Sequence, residues 1–427
     1  MNKPGSKSFG RFLVIWSGQF ISSIGSGLTA FTLGVYAFEK TQSATVYSLI
    51  ILFAFVPSYL LKPIGGVLAD RFDRRLLMII GDLGSALGLV FILLMFLAGN
   101  HEMWVIYLGV TVSSAFVALH NPAYKASVTD LVEEKGYSKA SGLMQLAESS
   151  RFLISPVIAG FLFHYLAIEK ILMIDIATFV LAVILVFGIK RKIKPATAES
   201  HQESFIAGFI SGFRYVFSHK ELVVLLLIIS LVTFSVGFLQ SLMGPMILAF
   251  SDAKTLGIVQ SVSATGMIAS SFFIGIFSKT ERQSTILWIS LAIAGLFYAL
   301  FGISTNILFL IAVGLLFFSA LPFVNTSLDV LIRKNVENQM QGRVWSIVSL
   351  ISQLGIVIAF STAGLLADRL FNPMLLNGGL LASNLGKIIG TGPGRGIGLM
   401  FVLSGILVVI IAFLVFRSRV IRVLETK

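Results

Sequence analysis

Gly65-Gly66-Val67-Leu68-Ala69-Asp70-Arg71-Phe72-Asp73-Arg74-Arg75 joins two long apolar runs, and its reading decides the fold. Residues 44–69 carry one charge, Lys62, and residues 76–100 also carry one, Asp82. Each run exceeds the ~20 mostly apolar residues that a helix needs to cross a bilayer. The stretch between them therefore reads as a tight turn on one membrane face. Paired glycines let helix ends approach, Asp70 is suited to the positive end of a neighbouring helix, and the arginines can bind carboxylates or phosphates bidentately.

Working outward, hydropathy and turn signals predict twelve spans, near 12–37, 43–69, 75–98, 103–124, 139–166, 169–189, 222–249, 255–278, 284–303, 306–331, 341–370 and 397–416. The first apolar run is too long for the core of a cleavable leader and is read as the first span. Of 427 residues, 56% are hydrophobic and 12% charged, about half the charge of a soluble domain. There is no cysteine, so disulfides and thiolate metal sites are excluded. No cofactor or metal is expected.

The net charge of +12 raises nucleic acid as a partner, but its distribution argues for topology. Twenty-four of the 32 lysines and arginines fall on the side of the chain ends, six on the other, and Lys62 and Arg151 within spans. The positive-inside rule then puts both termini in the cytoplasm. The expected setting is a cell membrane, with no nucleic-acid partner and a monomeric chain.

The predicted organisation is an N-terminal six-helix half (1–190), a cytoplasmic linker (191–221) and a C-terminal six-helix half (222–427) with an extended external loop at 371–396. In the linker, Phe205, Phe209, Phe213 and Phe217 recur every four residues, one apolar helix face suited to the membrane interface. The halves repeat at an offset of 204: Asn121 aligns with Asn325, Val132 with Val336, Glu133 with Glu337, Leu146 with Leu350 and Gly160 with Gly364. The glycine-rich run Gly390–Gly396 is read as an external turn, not a phosphate loop.

Charges within spans cost about 2.5–3.5 kcal/mol at the bilayer centre, which marks them as functional candidates. Glu148 and Arg151 lie three apart on one face of span 5. Two readings stand side by side: Glu148 as a proton carrier tuned by Arg151, or a self-neutralising structural pair. Asp175 in span 6 is the second proton candidate, beside the reading, favoured from sequence, of a polar contact with a neighbouring span. Lys62 and Asp82 sit at equal distances from the hairpin, and two readings stand: they pair, or Lys62 reaches out to the cytoplasmic interface. Asp329 and Arg333 are expected to pair. His120 reads as a packing residue.

Gly66, Asp70, Arg71, Arg74 and Arg75 resemble the signature Gly-x-x-x-Asp-Arg-x-Gly-Arg-Arg/Lys between spans 2 and 3 of the major facilitator superfamily, with Asp73 at the second glycine position. The resemblance implies an all-α fold of two pseudo-symmetric six-helix halves. It gives the loop a role in stabilising one conformation, without binding substrate. It places Gln19, Gln240, Asn325 and Gln353, in spans 1, 7, 10 and 11, along the substrate cavity; Arg151 of span 5, able to meet an anionic group, is a further cavity candidate from the residues themselves. Gly142, Pro156 and Gly160 match part of the exporters' span-5 pattern, in which Arg151, Ser155 and Ala159 replace glycines. Over nearly its full length, through the loop Ala69–Arg75, the surroundings of Asp82 and Asp175, and Gly392-Pro393-Gly394-Arg395-Gly396, the chain resembles the macrolide-efflux and enterobactin-exporter branch, which implies a bacterial inner membrane. The implied function is alternating-access export of amphipathic compounds in exchange for protons. Uptake of a small solute is the alternative among transporters, and a membrane receptor is the alternative outside them. No nucleophile–base set or nucleotide loop suggests an enzyme.

Overall fold

The computed structural model describes residues 9–188, 205–277, 282–418 and 421. Among these, twelve helices are long and apolar enough to cross a membrane: Phe9–Thr41, Ala44–Arg71, Arg74–Leu97, Met103–Leu131, Glu134–Tyr165, Ile168–Phe187, Lys220–Leu248, Ala253–Ile274, Gln283–Phe301, Ile307–Asn335, Gln341–Leu375 and Arg395–Arg417, here spans 1 to 12. Several overrun the hydropathy boundaries, continuing into polar ends such as those holding Lys40 and Arg71. The basic run Lys190–Lys192 and the polar stretch 195–202 lie outside the described residues.

The repeat inferred from sequence reappears in the helix ends. Span 4 runs Met103–Leu131 and span 10 Ile307–Asn335, with both termini displaced by 204. The next helices start at Tyr137 and Gln341, again 204 apart.

Two compact units divide the chain. One holds spans 1–6 without residues 42–48, and with residues 256–258 added; the other holds the remainder of spans 7–12 together with residues 42–48. In the first unit, Phe12, Ile15, Ala69, Leu77, Met78, Tyr124, Val128, Leu131, Met144 and Val186 form a buried core at the helix ends beside the hairpin. The second unit has a corresponding core of Leu225, Leu287, Leu328, Leu331, Val344 and Ile347. Large apolar side chains such as Leu60, Leu87, Phe272 and Leu308 are exposed, as lipid-facing surfaces require.

Prolines shape the spans. Pro57 interrupts span 2, and there the Ser58 N–H donates to Ser114 Oγ (3.1 Å), whose hydroxyl donates to the Ala54 carbonyl (2.6 Å). The hydroxyl thus enters the helix ladder beside Pro57 and satisfies the two groups it stands between. In span 5 the helix breaks at Ile154 and restarts at Ser155, because Pro156 lacks an N–H and its ring crowds the preceding turn. The linker helix Phe205–Ser218 packs in the second unit: Arg343 Nη1 donates to Ser211 Oγ (3.0 Å), while Ile210, Phe213 and Phe217 stay exposed.

The loop 371–396 forms two one-turn helices, Asn372–Leu375 and Gly386–Ile389. Leu375, Ile389 and Leu399 bury against one another beneath it. Gly390, Gly392 and Gly394 have φ of 92°, 116° and 76°, values a side chain would strain. They turn the chain so that the buried Arg395 donates to the carbonyls of Gly302 (3.0 Å) and Ile303 (2.8 Å), just past the end of span 9. A cation there complements the helix dipole.

Candidate functional site

The hairpin residues divide into two kinds. Asp73 caps span 3 by accepting from the Arg75 N–H (3.0 Å). Arg74 is buried and donates to Asp130 Oδ2 (2.6 Å) and to the carbonyls of Ala69 (3.3 Å) and Ala126 (3.0 Å). Arg75 crosses to the end of span 6, donating to the carbonyls of Val186 (3.0 Å) and Phe187. These two arginines tie the ends of spans 2, 4 and 6 together. Asp70 and Arg71 are exposed, with no hydrogen bond or ion pair among the described residues, and a Cβ at Gly66 would meet open space.

Two buried polar clusters lie within the spans of the first unit. The first surrounds Asp175, which is 1% exposed. Thr178 Oγ1 donates to the Asp175 backbone carbonyl (2.7 Å) and stands 3.3 Å from its Oδ1. Span 1 makes room with glycine: a Cβ at Gly25 would lie 2.6 Å from Asp175 Oδ1 and 2.4 Å from Thr178 Oγ1. Two residues on, a Cβ at Gly27 would lie 2.3 Å from Ser155 Oγ and 2.9 Å from the Arg151 carbonyl oxygen. Ser155 Oγ in turn donates to the Ile24 carbonyl (2.9 Å). Spans 5 and 6 therefore meet span 1 around a carboxylate.

The second cluster centres on Asp82, 3% exposed. Gln19 Nε2 donates to Asp82 Oδ2 (3.1 Å), and His120 Nε2 stands 3.6 Å from Oδ1. The His120 ring stacks on Tyr124, whose hydroxyl is buried without a hydrogen-bond partner. Of the two readings for Lys62, the pair with Asp82 is not formed. Lys62 is exposed, and Asp82 points inward to spans 1 and 4. Gly81, Gly84 and Gly88 mark the packed face, since a Cβ at each would collide with His120, Phe116 or Gly109 of span 4. That glycine stripe is the sequence signal for Asp82's direction.

Other candidates fall as follows. Glu148 does not pair with Arg151; it lies half-exposed with Lys125 Nζ at 3.3 Å. Arg151 makes no ion pair within 4 Å among the described residues, but its charge acts on the Asp175 carboxylate. Gln19, expected along a cavity, is buried and committed to Asp82. Gln240 and Asn325 are exposed, and Gln353 is partly buried with an unpartnered Oε1. Asp329 and Arg333 pair at 2.7 Å as expected.

A sequence profile described as Major Facilitator Superfamily matches residues 15–360. The chain belongs to that superfamily. As a Major Facilitator Superfamily member it is a transporter and not an enzyme. It is 27% identical over 366 residues to macrolide efflux protein A of Streptococcus pyogenes, covering 84% of this chain and 90% of that protein. It is 21% identical to multidrug resistance protein 2 of Bacillus subtilis, covering 88% and 93%. The fold is similar to that of the nucleoside transporter NupG, with a TM-score of 0.74, 14% identity, and coverage of 96% of this chain and 100% of that one.

Proposed function

We propose that this facilitator exports bulky amphipathic compounds, macrolide-like drugs or a peptide or siderophore product, in exchange for protons. The observation that carries the reading is Asp175: a carboxylate buried within a span, opposite a glycine that leaves room for it. Retaining such a group is costly unless it has a role, and a carboxylate with Arg151 in electrostatic reach can take up and release a proton without a metal-type ligand set. The efflux relatives support the direction of transport, and the exporter-like Gly142, Pro156 and Gly160 of span 5 agree with it. Arg151, Gln240, Asn325 and Gln353 are assigned to the substrate path. Gln19 is assigned to hold Asp82. The lysine and arginine distribution supports both chain ends being cytoplasmic, in a bacterial inner membrane, and the working unit is taken as one chain.

Glu148 is assigned a second protonatable position on the path. The test uses purified protein in liposomes with an imposed pH gradient and a panel of macrolides and dyes. Wild type is expected to move at least one panel compound with the gradient and none without it. Glu148→Gln is expected to cut that movement at least tenfold. An exposed ion pair with Lys125 is worth only about 0.2–1 kcal/mol, or roughly fivefold at most. A fall within that range would remove Glu148 from the path. Solute uptake driven inward by the gradient would overturn the exporter reading.

A further inference from the structure

The hairpin pattern occurs twice. Gly66-Val67-Leu68-Ala69-Asp70-Arg71 ends span 2, and Gly364-Leu365-Leu366-Ala367-Asp368-Arg369 lies near the end of span 11, identical at five of six positions. Successive spans cross the membrane in alternate directions, so an even-numbered and an odd-numbered span carry the pattern to opposite faces.

At span 11 the pattern is engaged. A Cβ at Gly364 would lie 2.5 Å from the Ala44 carbonyl oxygen and from Thr45 Cα, so only glycine admits the start of span 2 this closely. The helix then widens into a π turn over Ala367–Phe371, a form found often at functional sites. Within it, Asp368 accepts four hydrogen bonds from the first turn of span 2: Ser43 Oγ (2.6 Å), Ala44 N (3.0 Å), Thr45 N (2.9 Å) and Thr45 Oγ1 (2.7 Å). Ser43 Oγ takes the Val46 N–H (3.2 Å). Three of the four N–H groups that a helix start leaves unpaired are thus satisfied, two of them by a carboxylate at the positive end of the dipole. Ser241 donates to Ser48 one turn further in, and Gly244 leaves room for Tyr47. At span 2 the same pattern is disengaged: Gly66 faces open space and Asp70 is exposed.

We infer that Asp368 is a releasable latch, closing the start of span 2 onto spans 7 and 11 in this state and letting go when that end opens during transport. The bonds are charge-assisted and hence strong. Asp368 is nonetheless only partly buried, so water can replace its four donors when the helices part, which makes the contact reversible. A permanent structural cap would share the hydrogen bonds but would not govern opening. The inference rests on membership of a transporter family, and not on the substrate or the coupling ion.

The chain has no cysteine, so Ser48→Cys supplies a single reporter at a position 1% exposed. The protein is placed in lipid nanodiscs, whose two faces are both open to a charged, membrane-impermeant maleimide. Asp368→Asn keeps the shape but removes the charge and one carboxylate oxygen. It is expected to raise the labelling rate of the position-48 reporter about tenfold, as a shift of one decade in the closed-to-open ratio requires. Thr45→Val, which removes one hydroxyl donor, is expected to raise it about twofold to threefold. A control reporter at Ser290→Cys, buried in span 9, is expected to stay unlabelled in both variants. Unchanged labelling at position 48 overturns the latch, as does a rise matched at the position-290 reporter, which would mean loss of fold. If Asp368→Asn cannot be purified, Thr45→Val alone decides by the same two criteria.

Discussion

Asp175→Asn is expected to abolish gradient-driven export while leaving substrate exchange intact. The side chain is 1% exposed, and the space it occupies is kept open by Gly25 on span 1. Asparagine fills the same volume, and the Thr178 hydroxyl keeps its short bond to the backbone carbonyl of residue 175 (2.7 Å), so packing is preserved. What it cannot do is exchange a proton. A gradient of one pH unit contributes about 1.4 kcal/mol per proton, equivalent to a tenfold concentration ratio. With one proton per cycle the wild type should therefore reach about tenfold accumulation under such a gradient, and the variant none. Exchange of labelled for unlabelled substrate needs no net proton movement, so it should persist near the wild-type rate. Loss of exchange together with accumulation would mean that Asp175 holds the spans together and does not couple. Full accumulation in the variant would move the proton to another carboxylate. Asp82 then comes first, because it too is buried and has His120 at 3.6 Å.

How much of this is legible in the sequence differs by kind of question. Hydropathy gives the depth of a residue and not its direction around the helix, because tilt and rotation are set by packing against neighbours. The span count, the repeat at 204 and the Asp329–Arg333 pair depend on spacing along the chain, and all three reappear. Asp82 shows the other case. Its depth matches that of Lys62 and suggests a pair, but its rotation, set by the glycine face of span 3, turns it to Gln19 and His120. Glu148 and Arg151 share a helix face, yet Lys125 of span 4 takes the carboxylate. Asp368 is hidden for a different reason. Along the chain it stands at a span end followed by a turn, and its partners are more than 320 residues earlier. The small residues Gly25, Gly27, Gly65 and Gly364 are the legible trace of such contacts, since each stands where a side chain would strike another span.

The signature hairpin leads to the second large effect. Although Arg71 and Arg74 belong to one motif, their variants should differ sharply. Arg74 is buried, holds Asp130 at 2.6 Å and serves two backbone carbonyls, whereas Arg71 is exposed and makes no ion pair among the described residues. Removing one partner of a buried ion pair costs about 3–5 kcal/mol. The Asp130 side chain retains 21% exposure, so water can take over part of the interaction. Arg74→Met should therefore destabilise the protein by about 2–3 kcal/mol, while Arg71→Met should stay within about 0.5 kcal/mol. Thermal unfolding of the two variants in the same detergent measures the difference. Arg74→Lys should fall between them, since an ammonium keeps the charge but cannot reach the carboxylate and two carbonyls in one plane. The double variant Arg74→Met, Asp130→Leu should recover most of the loss, because no buried charge is then left unpaired. Equal destabilisation by Arg71→Met and Arg74→Met would mean that the hairpin acts through its net positive charge at the membrane face. A sharp difference would mean that the motif joins two devices, one that ties spans 2, 4 and 6 at their ends and one that leaves Asp70 and Arg71 available for a contact made elsewhere in the cycle.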